Sequence, residues 1–294
     1  MSKSTSMICA LITTFIWGTA FIAQDTGMDN IGPLTFNFSR FLVGFITILP
    51  FALIFEKKKI ISEISTKSKI FYKYLLFMGI SLFLGTFLQQ AALQYTNIAN
   101  AAFFTVFYVP LVPILLFLIY SNKVHWSIWP SIGLCILGVY LLSDFSNSEI
   151  MLGDALVIIC SIFWALHIIF AGKFMEIFDI PIFYAALQAL FVATLSFIFS
   201  YFFEEINFSN ILLESSSIIY AGVLSGGIAF TLQMFAQKNI EETPAAIIYS
   251  LEGVFAAIAG WIILDQFLNL SNIFGCFLIL IAVIFSQLAP SSKN

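Results

Sequence analysis

Residues 33–59 read Pro-Leu-Thr-Phe-Asn-Phe-Ser-Arg-Phe-Leu-Val-Gly-Phe-Ile-Thr-Ile-Leu-Pro-Phe-Ala-Leu-Ile-Phe-Glu-Lys-Lys-Lys. This run is opened by a proline, stays largely apolar for more than twenty residues and closes on three lysines. It is long enough to cross the roughly 30 Å hydrocarbon core of a bilayer as one helix. Proline fits the first turn, where its missing N–H would have no partner anyway. The rest of the 294-residue chain repeats the pattern. Hydrophobic residues make up 61% and charged residues 10%, with 35 Phe, whereas soluble domains carry roughly 25% charged residues. Water cannot solvate so apolar a surface, but lipid can, so membrane lipids are the first expected partner. The net charge of −4 is small and scattered, which argues against a nucleic-acid partner.

Breaking each apolar run at its polar cluster predicts ten spans, at 7–24, 34–55, 70–94, 99–120, 126–143, 153–172, 181–203, 216–237, 244–264 and 271–289. The expected fold is an all-α polytopic membrane protein. The first run follows Lys3, as a signal peptide would. It is longer than the 7–15 residues of a signal core, contains Trp17 and lacks a small-x-small cleavage site, so it is expected to remain as the first span. Pro130, Pro181 and Pro244 open later spans as Pro33 does. Pro110 and Pro113 fall inside the fourth span and should bend it. Cys9, Cys135, Cys160 and Cys276 lie in apolar runs without zinc or redox spacing and read as packing thiols.

The lysines orient the chain. With the N-terminus in the cytoplasm and strict alternation, the inside segments hold Lys3, the 57–73 cluster, Lys123, Lys173, Lys238 and Lys293, which is eleven of the twelve basic residues. Arg40 lies within a span. The outside segments hold no lysine but carry Asp25, Asp29, Asp144, Glu149, Glu204, Glu205, Glu214 and Asp265. So complete a bias supports an even span count, both termini inside and residence in the cytoplasmic (inner) membrane.

The second half echoes the first. Trp17 pairs with Trp164, and Pro33 seven residues before Arg40 pairs with Pro181 seven residues before Gln188. Leu-Gln-Gln-Ala-Ala-Leu-Gln (88–94) resembles Leu-Gln-Met-Phe-Ala-Gln (232–237), and Ala101-Ala102 recurs as Ala245-Ala246. The expected halves are residues 1–144 and 145–294, with five spans each. An odd number of spans per half forces opposite orientations, which is the sequence mark of alternating-access transporters with a midplane site. Duplication without functional symmetry is the other reading.

Four stretches carry a resemblance to a known family: Phe-Ile-Trp-Gly-Thr-Ala-Phe-Ile-Ala-Gln (15–24), Gly-Pro-Leu-Thr-Phe-Asn-Phe-Ser-Arg-Phe-Leu (32–42), Gly-Asp-Ala-Leu-Val-Ile-Ile-Cys-Ser-Ile-Phe-Trp-Ala-Leu-His (153–167) and Ser-Leu-Glu-Gly-Val-Phe-Ala-Ala-Ile-Ala-Gly-Trp (250–261). In order and spacing the chain resembles the EamA-like, ten-helix members of the drug/metabolite transporter superfamily. The resemblance covers about residues 7–289. It implies two five-helix halves, cytoplasmic termini, and a central cavity lined by the first, third and fourth helices of each half. Where such proteins often carry Glu-Pro in the ninth helix, this chain has Glu252-Gly253, which leaves a kink there open.

Polar groups within the spans are the candidate substrate-binding residues. Arg40 lies roughly 10 Å below the outer end of its helix at 1.5 Å per residue. Burying it there costs about 2.5–3.5 kcal/mol, so it should face the bundle or water. It suits bidentate capture of a carboxylate, or else it pins helix-end carbonyls or snorkels to the headgroups. Glu252, about eight residues from the inner end of the ninth span, is a candidate for proton exchange, for binding an amine, for pairing with Arg40, or for a hydrogen bond to a neighbouring helix. Gln89, Gln90 and Gln233 lie deep enough to line a cavity with neutral donors and acceptors, or to bond helix to helix. Gln94 and Gln237 sit near helix ends and read as interfacial. His167 can share a face with Trp164, although a lone intramembrane histidine more commonly packs. His125 is the only other histidine, which leaves no multi-histidine metal site. Trp17, Tyr108, Trp164 and Tyr249 can form aromatic walls. Gly222 and Gly226, and likewise Ala256 and Gly260, have the spacing of close helix packing.

Taken together, these features point to a secondary transporter for a small polar or amphipathic, amino-acid-like metabolite, working by alternating access. No cofactor is expected, protons are an optional co-substrate, and a homodimer is compatible with the sequence. A non-transporting scaffold or lipid-handling protein is the alternative. An intramembrane enzyme is disfavoured, because neither His-Glu-x-x-His, Gly-x-Ser-x-Gly nor paired membrane aspartates occur.

Overall fold

A computed structural model describes residues 2–96, 98–142, 152–263, 265 and 267–288. Every regular element among them is helical. The first three spans are α1 (Lys3–Thr26), α2 (Pro33–Phe55) and α3 (Lys57–Ala92). The fourth is split into α4 (Ile98–Thr105) and α5 (Tyr108–Tyr120), and the fifth is α6 (Trp129–Leu142). The sixth and seventh are α7 (Leu152–Ile177) and α8 (Pro181–Phe203), followed by a short surface helix, α9 (Phe208–Leu213). The eighth is a rod made of α10 (Ser215–Tyr220), a π-helix (Ala221–Ala229) and α11 (Phe230–Gln237). The ninth is split into α12 (Glu242–Tyr249) and α13 (Leu251–Ile263), and the last is α14 (Leu270–Leu288).

Nine helical segments among the described residues are long and apolar enough to cross a bilayer. The fifth is shorter than expected: α6 has 14 residues, about 21 Å at 1.5 Å per residue. It pairs with α14 at a backbone crossing where Gly138 and Gly275 face each other's carbonyl oxygens. The third is longer. It begins at Lys57, so the lysine-rich stretch is helical, with a non-helical joint at Lys67. Asp144, Glu149, Lys293 and the expected 144/145 boundary lie outside the described residues.

The distribution of polarity is inverted relative to a soluble protein. Ile54, Phe55, Phe202 and Phe203 are about 70% exposed, whereas Asn37, Gln90, His167, Gln188 and Gln233 are fully buried. Lipid takes the apolar faces, and the polar groups must find partners within the bundle. The cysteines are unpaired, three of them buried.

Two carboxylates brace the bundle from opposite ends. Glu56 follows α2 and accepts from the first backbone N–H groups of α8, Ile182 at 3.1 Å and Phe183 at 2.8 Å. Glu204 follows α8 and accepts from those of α2, Leu34 and Thr35, each at 2.8 Å. Each helix thus supplies a carboxylate to the unsatisfied donors and positive end of the other, which makes α2 and α8 an antiparallel pair. Around them α1 packs on α11 and α13, while α3 and α5 pack on α7.

At one end of the bundle Asp179 bonds both Lys59 and Lys238. That contact puts these two lysines on the same face, as the alternation of spans requires. At the other end Glu214 accepts from Asn30 at 2.6 Å and Thr96 donates to Asp154 at 2.5 Å.

Candidate functional site

Both broken spans meet at the centre. In the fourth, the break falls at Val106–Phe107, just before Pro110. Proline removes the N–H that would bond Val106, and the N–H of Val109 takes that carbonyl instead at 2.9 Å, in a tighter turn. The ninth span breaks at Ser250 without a proline, with Gly253 donating to the Ser250 carbonyl at 3.2 Å. The interruption lies two residues before Glu252-Gly253, which are themselves helical, and Ser250 keeps right-handed helical angles. Gly18 of α1 lies against this joint; a Cβ there would be 2.6 Å from the Glu252 carbonyl oxygen.

The two joints border a narrow central cavity of about 30 Å³, room for two or three waters at roughly 10–15 Å³ each. Trp17, Trp164, Phe230 and Tyr249 form an aromatic floor, with ring centres 5.2–6.3 Å apart where they touch. From that floor the cavity runs along Phe21 and Gln24 of α1 and Thr86 and Gln89 of α3 toward the end opposite the lysines. Thr105, Tyr108, Ile168, Ser225, Gln233 and Glu252 complete the wall with Arg40. The first, third, fourth, sixth, eighth and ninth spans all contribute, and α2 joins them through Arg40.

The charged groups do not pair with each other. The Nε of Arg40 donates to Asn37 at 2.8 Å, and its guanidinium lies 4.9 Å from the Phe41 ring centre and 5.6 Å from that of Phe36. Glu252 accepts from the Tyr108 hydroxyl at 3.3 Å. Both charged residues are buried, at 3% and 6% exposure. Among the described residues, neither amide atom of Gln233 has a partner, nor does the Tyr249 hydroxyl. The cavity thus combines one cation, one carboxyl group and several uncommitted hydrogen-bonding groups on an aromatic base.

Of the ten expected substrate-binding residues, Trp17, Arg40, Gln89, Tyr108, Trp164, Gln233, Tyr249 and Glu252 line this cavity. Gln90 and His167 do not. Gln90 turns to donate to the Gln24 carbonyl at 2.7 Å, and His167 bonds Gln188 at 3.0 Å behind the floor. Adjacent glutamines on a helix point about 100° apart, so Gln89 and Gln90 cannot share one cavity face. Gln237 also bonds a backbone carbonyl, that of Ile168, at 2.7 Å. Sequence reasoning missed Gln24, Thr86, Thr105 and Ser225. Gln24 was visible as a polar residue closing the first span. The threonines carried little signal, because each can satisfy its hydroxyl on its own helix, as Thr86 does on Leu82 and Thr105 on Ala101.

Comparison with known proteins places these features in context. A sequence model of the EamA-like transporter family matches residues 4–144 and again 151–288. A protein of Archaeoglobus fulgidus described as an uncharacterized transporter is 31% identical over 280 residues, covering 94% of this chain and 84% of the relative. The uncharacterized transporter YoaV of Bacillus subtilis (strain 168) is 22% identical over 298 residues, covering 98% of each. A solved crystal structure superposes with a TM-score of 0.78 over 98% of both chains at 15% identity. That last likeness concerns the fold alone.

Proposed function

The chain belongs to the EamA-like transporter family and is a multi-pass membrane transporter, and from that premise we propose that it moves a small zwitterionic, amino-acid-like metabolite by alternating access. The observation that carries the substrate class is the pair of unlike charges, Arg40 and Glu252, which line one cavity without forming an ion pair. A buried charge left to a neutral partner is costly, and a ligand bearing the complementary charges relieves both at once. Arg40 takes the carboxylate in this reading and Glu252 the ammonium, while Trp17, Trp164 and Tyr249 support an apolar side chain. Glu252 also offers a place for a coupled proton when the amine is absent.

The cavity is too contracted to hold a metabolite, so the helices must part to admit one. Two successive family matches and the reciprocal capping of α2 and α8 support a division into related halves near residues 1–144 and 145–294. Opposite movements of such halves would open the cavity first to one face and then to the other. The lysine bias supports the cytoplasmic membrane with both termini inside.

Counterflow in proteoliposomes tests the proposal. Purified protein should exchange labelled amino acids or related zwitterions, with the preferred substrate identified by competition, and measurement at two pH values separates proton coupling from exchange. Absence of flux for every zwitterion, with flux of a singly charged or neutral solute instead, would refute the substrate class.

A further inference from the structure

A second polar space lies at the lysine-rich end of the bundle. It is a recess of about 470 Å³ bounded by the end of α5, the Ser121–Val124 turn, Lys173 of α7 and the start of α12. Its walls continue those of the central cavity. Leu116 lies eight residues beyond Tyr108, Lys173 nine beyond Trp164, and Glu242 seven before Tyr249. At 1.5 Å per residue the recess therefore sits roughly 12 Å further along the same line, below the aromatic floor.

Lys173 and Glu242 face each other at 3.3 Å, with side chains only 11% and 7% exposed. Lys173 also touches Glu176 at 3.1 Å and lies 5.7 Å from the Tyr120 ring centre. A desolvated ion pair contributes little net stability, because the loss of hydration largely cancels the attraction. This pair joins α7, which packs with α3 and α5, to the start of α12, which packs with α5, α1 and α14. Next to it, Thr243 is 2% exposed and lines the recess, and its hydroxyl has no partner among the described residues.

We propose that this recess is a second binding site for a zwitterionic metabolite, which enters by parting the Lys173–Glu242 pair. The substrate carboxylate replaces Glu242 on Lys173, its ammonium replaces Lys173 on Glu242, and Thr243 supplies a hydrogen bond. Because the pair ties the start of α12 to α7, the ligand that separates it also frees these two helix ends from each other, so occupancy and opening are linked by differential affinity. This inference rests on the transport reading above.

The test is the half-saturation constant for amino-acid uptake, measured from each face in right-side-out and everted membrane vesicles. Lys173→Met and Glu242→Gln should each raise the constant about ten-fold or more at the lysine-rich face and leave the opposite face within about two-fold. Thr243→Ala keeps the ion pair and should raise the same constant about two- to five-fold, which serves if the charge variants do not fold. Equal changes at both faces, or none at either, would overturn the second site while wild-type flux upholds the transport reading. No wild-type flux of any zwitterion would overturn both.

Discussion

Tyr108 of the fourth span and Glu252 of the ninth meet through their side chains at 3.3 Å. Each stands seven residues beyond the first of a matched alanine pair, Ala101-Ala102 or Ala245-Ala246, and in the first turn after the break in its span. The two broken spans therefore touch at the cavity through unlike groups, a phenol from one and a carboxyl from the other. Arg40 and Gln188, each seven residues beyond the proline that opens its span, are likewise unlike, and only Arg40 lines the cavity.

Removing either charge should disable transport without disturbing insertion. Arg40→Ala and Glu252→Gln each delete a charge-assisted contact worth roughly 1.5–3 kcal/mol, so initial counterflow rates should fall about ten-fold or more. Arg40→Lys should recover only part of the loss, because an ammonium cannot bind a carboxylate in the forked manner of a guanidinium. Normal flux from both the alanine and glutamine variants would show that the cavity charges do not contact substrate.

Two glycines of the ninth-span joint should respond in opposite ways. Gly18→Val drives a side chain into the Glu252 backbone and the Phe255 side chain, each 2.6 Å from the added Cβ, and should destabilise by about 1–3 kcal/mol. Gly253→Ala meets nothing within 4 Å and gains about 0.5–1 kcal/mol of helix preference. Thermal unfolding in detergent separates them: Gly18→Val should melt lower than the parent, and Gly253→Ala at or above it.

The reciprocal caps should be similar in strength. Glu56→Ala and Glu204→Ala each leave two backbone donors of a helix start unsatisfied, at a cost of about 0.5–2 kcal/mol each. Burial pushes the Glu56 carboxyl up, against the pull of the Phe183 and Ile182 N–H groups. Melting temperatures of the two single variants should fall together, and a large loss from one alone would contradict the paired arrangement.

Asp179 should give the lysine-rich face an acid-sensitive link. Partial burial pushes its carboxyl up, but the bonds and charges of Lys238 and Lys59 outweigh this and hold it below the ordinary range. A carboxyl lowered by folding stabilises the protein above its unfolded value, near pH 3.9, and the benefit is lost as pH falls through the lower folded value. Asp179→Asn should therefore melt below the parent at neutral pH and approach it in acid. High salt should shrink the difference, because the group is partly exposed.

Much of the architecture was legible from local chemistry. Spans follow from transfer free energy summed along the chain, which is why the runs around Phe15, Phe51 and Leu280 declare themselves without reference to neighbours. The alternation of lysines likewise anticipated that Lys59 and Lys238 share one end of the bundle, where both bond Asp179. Depth was equally readable, so Arg40 and Glu252 stood out as costly groups in lipid.

What the tertiary structure decided was direction. Gln89 enters the cavity and Gln90 a neighbouring helix, because a helix turns about 100° per residue and its rotation is set by packing. His167 is taken up by Gln188, and Glu56 finds the start of a helix 126 residues away. That Arg40 and Glu252 share a cavity yet remain apart depends on where packing places α2, against α8, and α13, against α1. Hydropathy senses how deep a residue lies, but only the packed bundle determines what it faces.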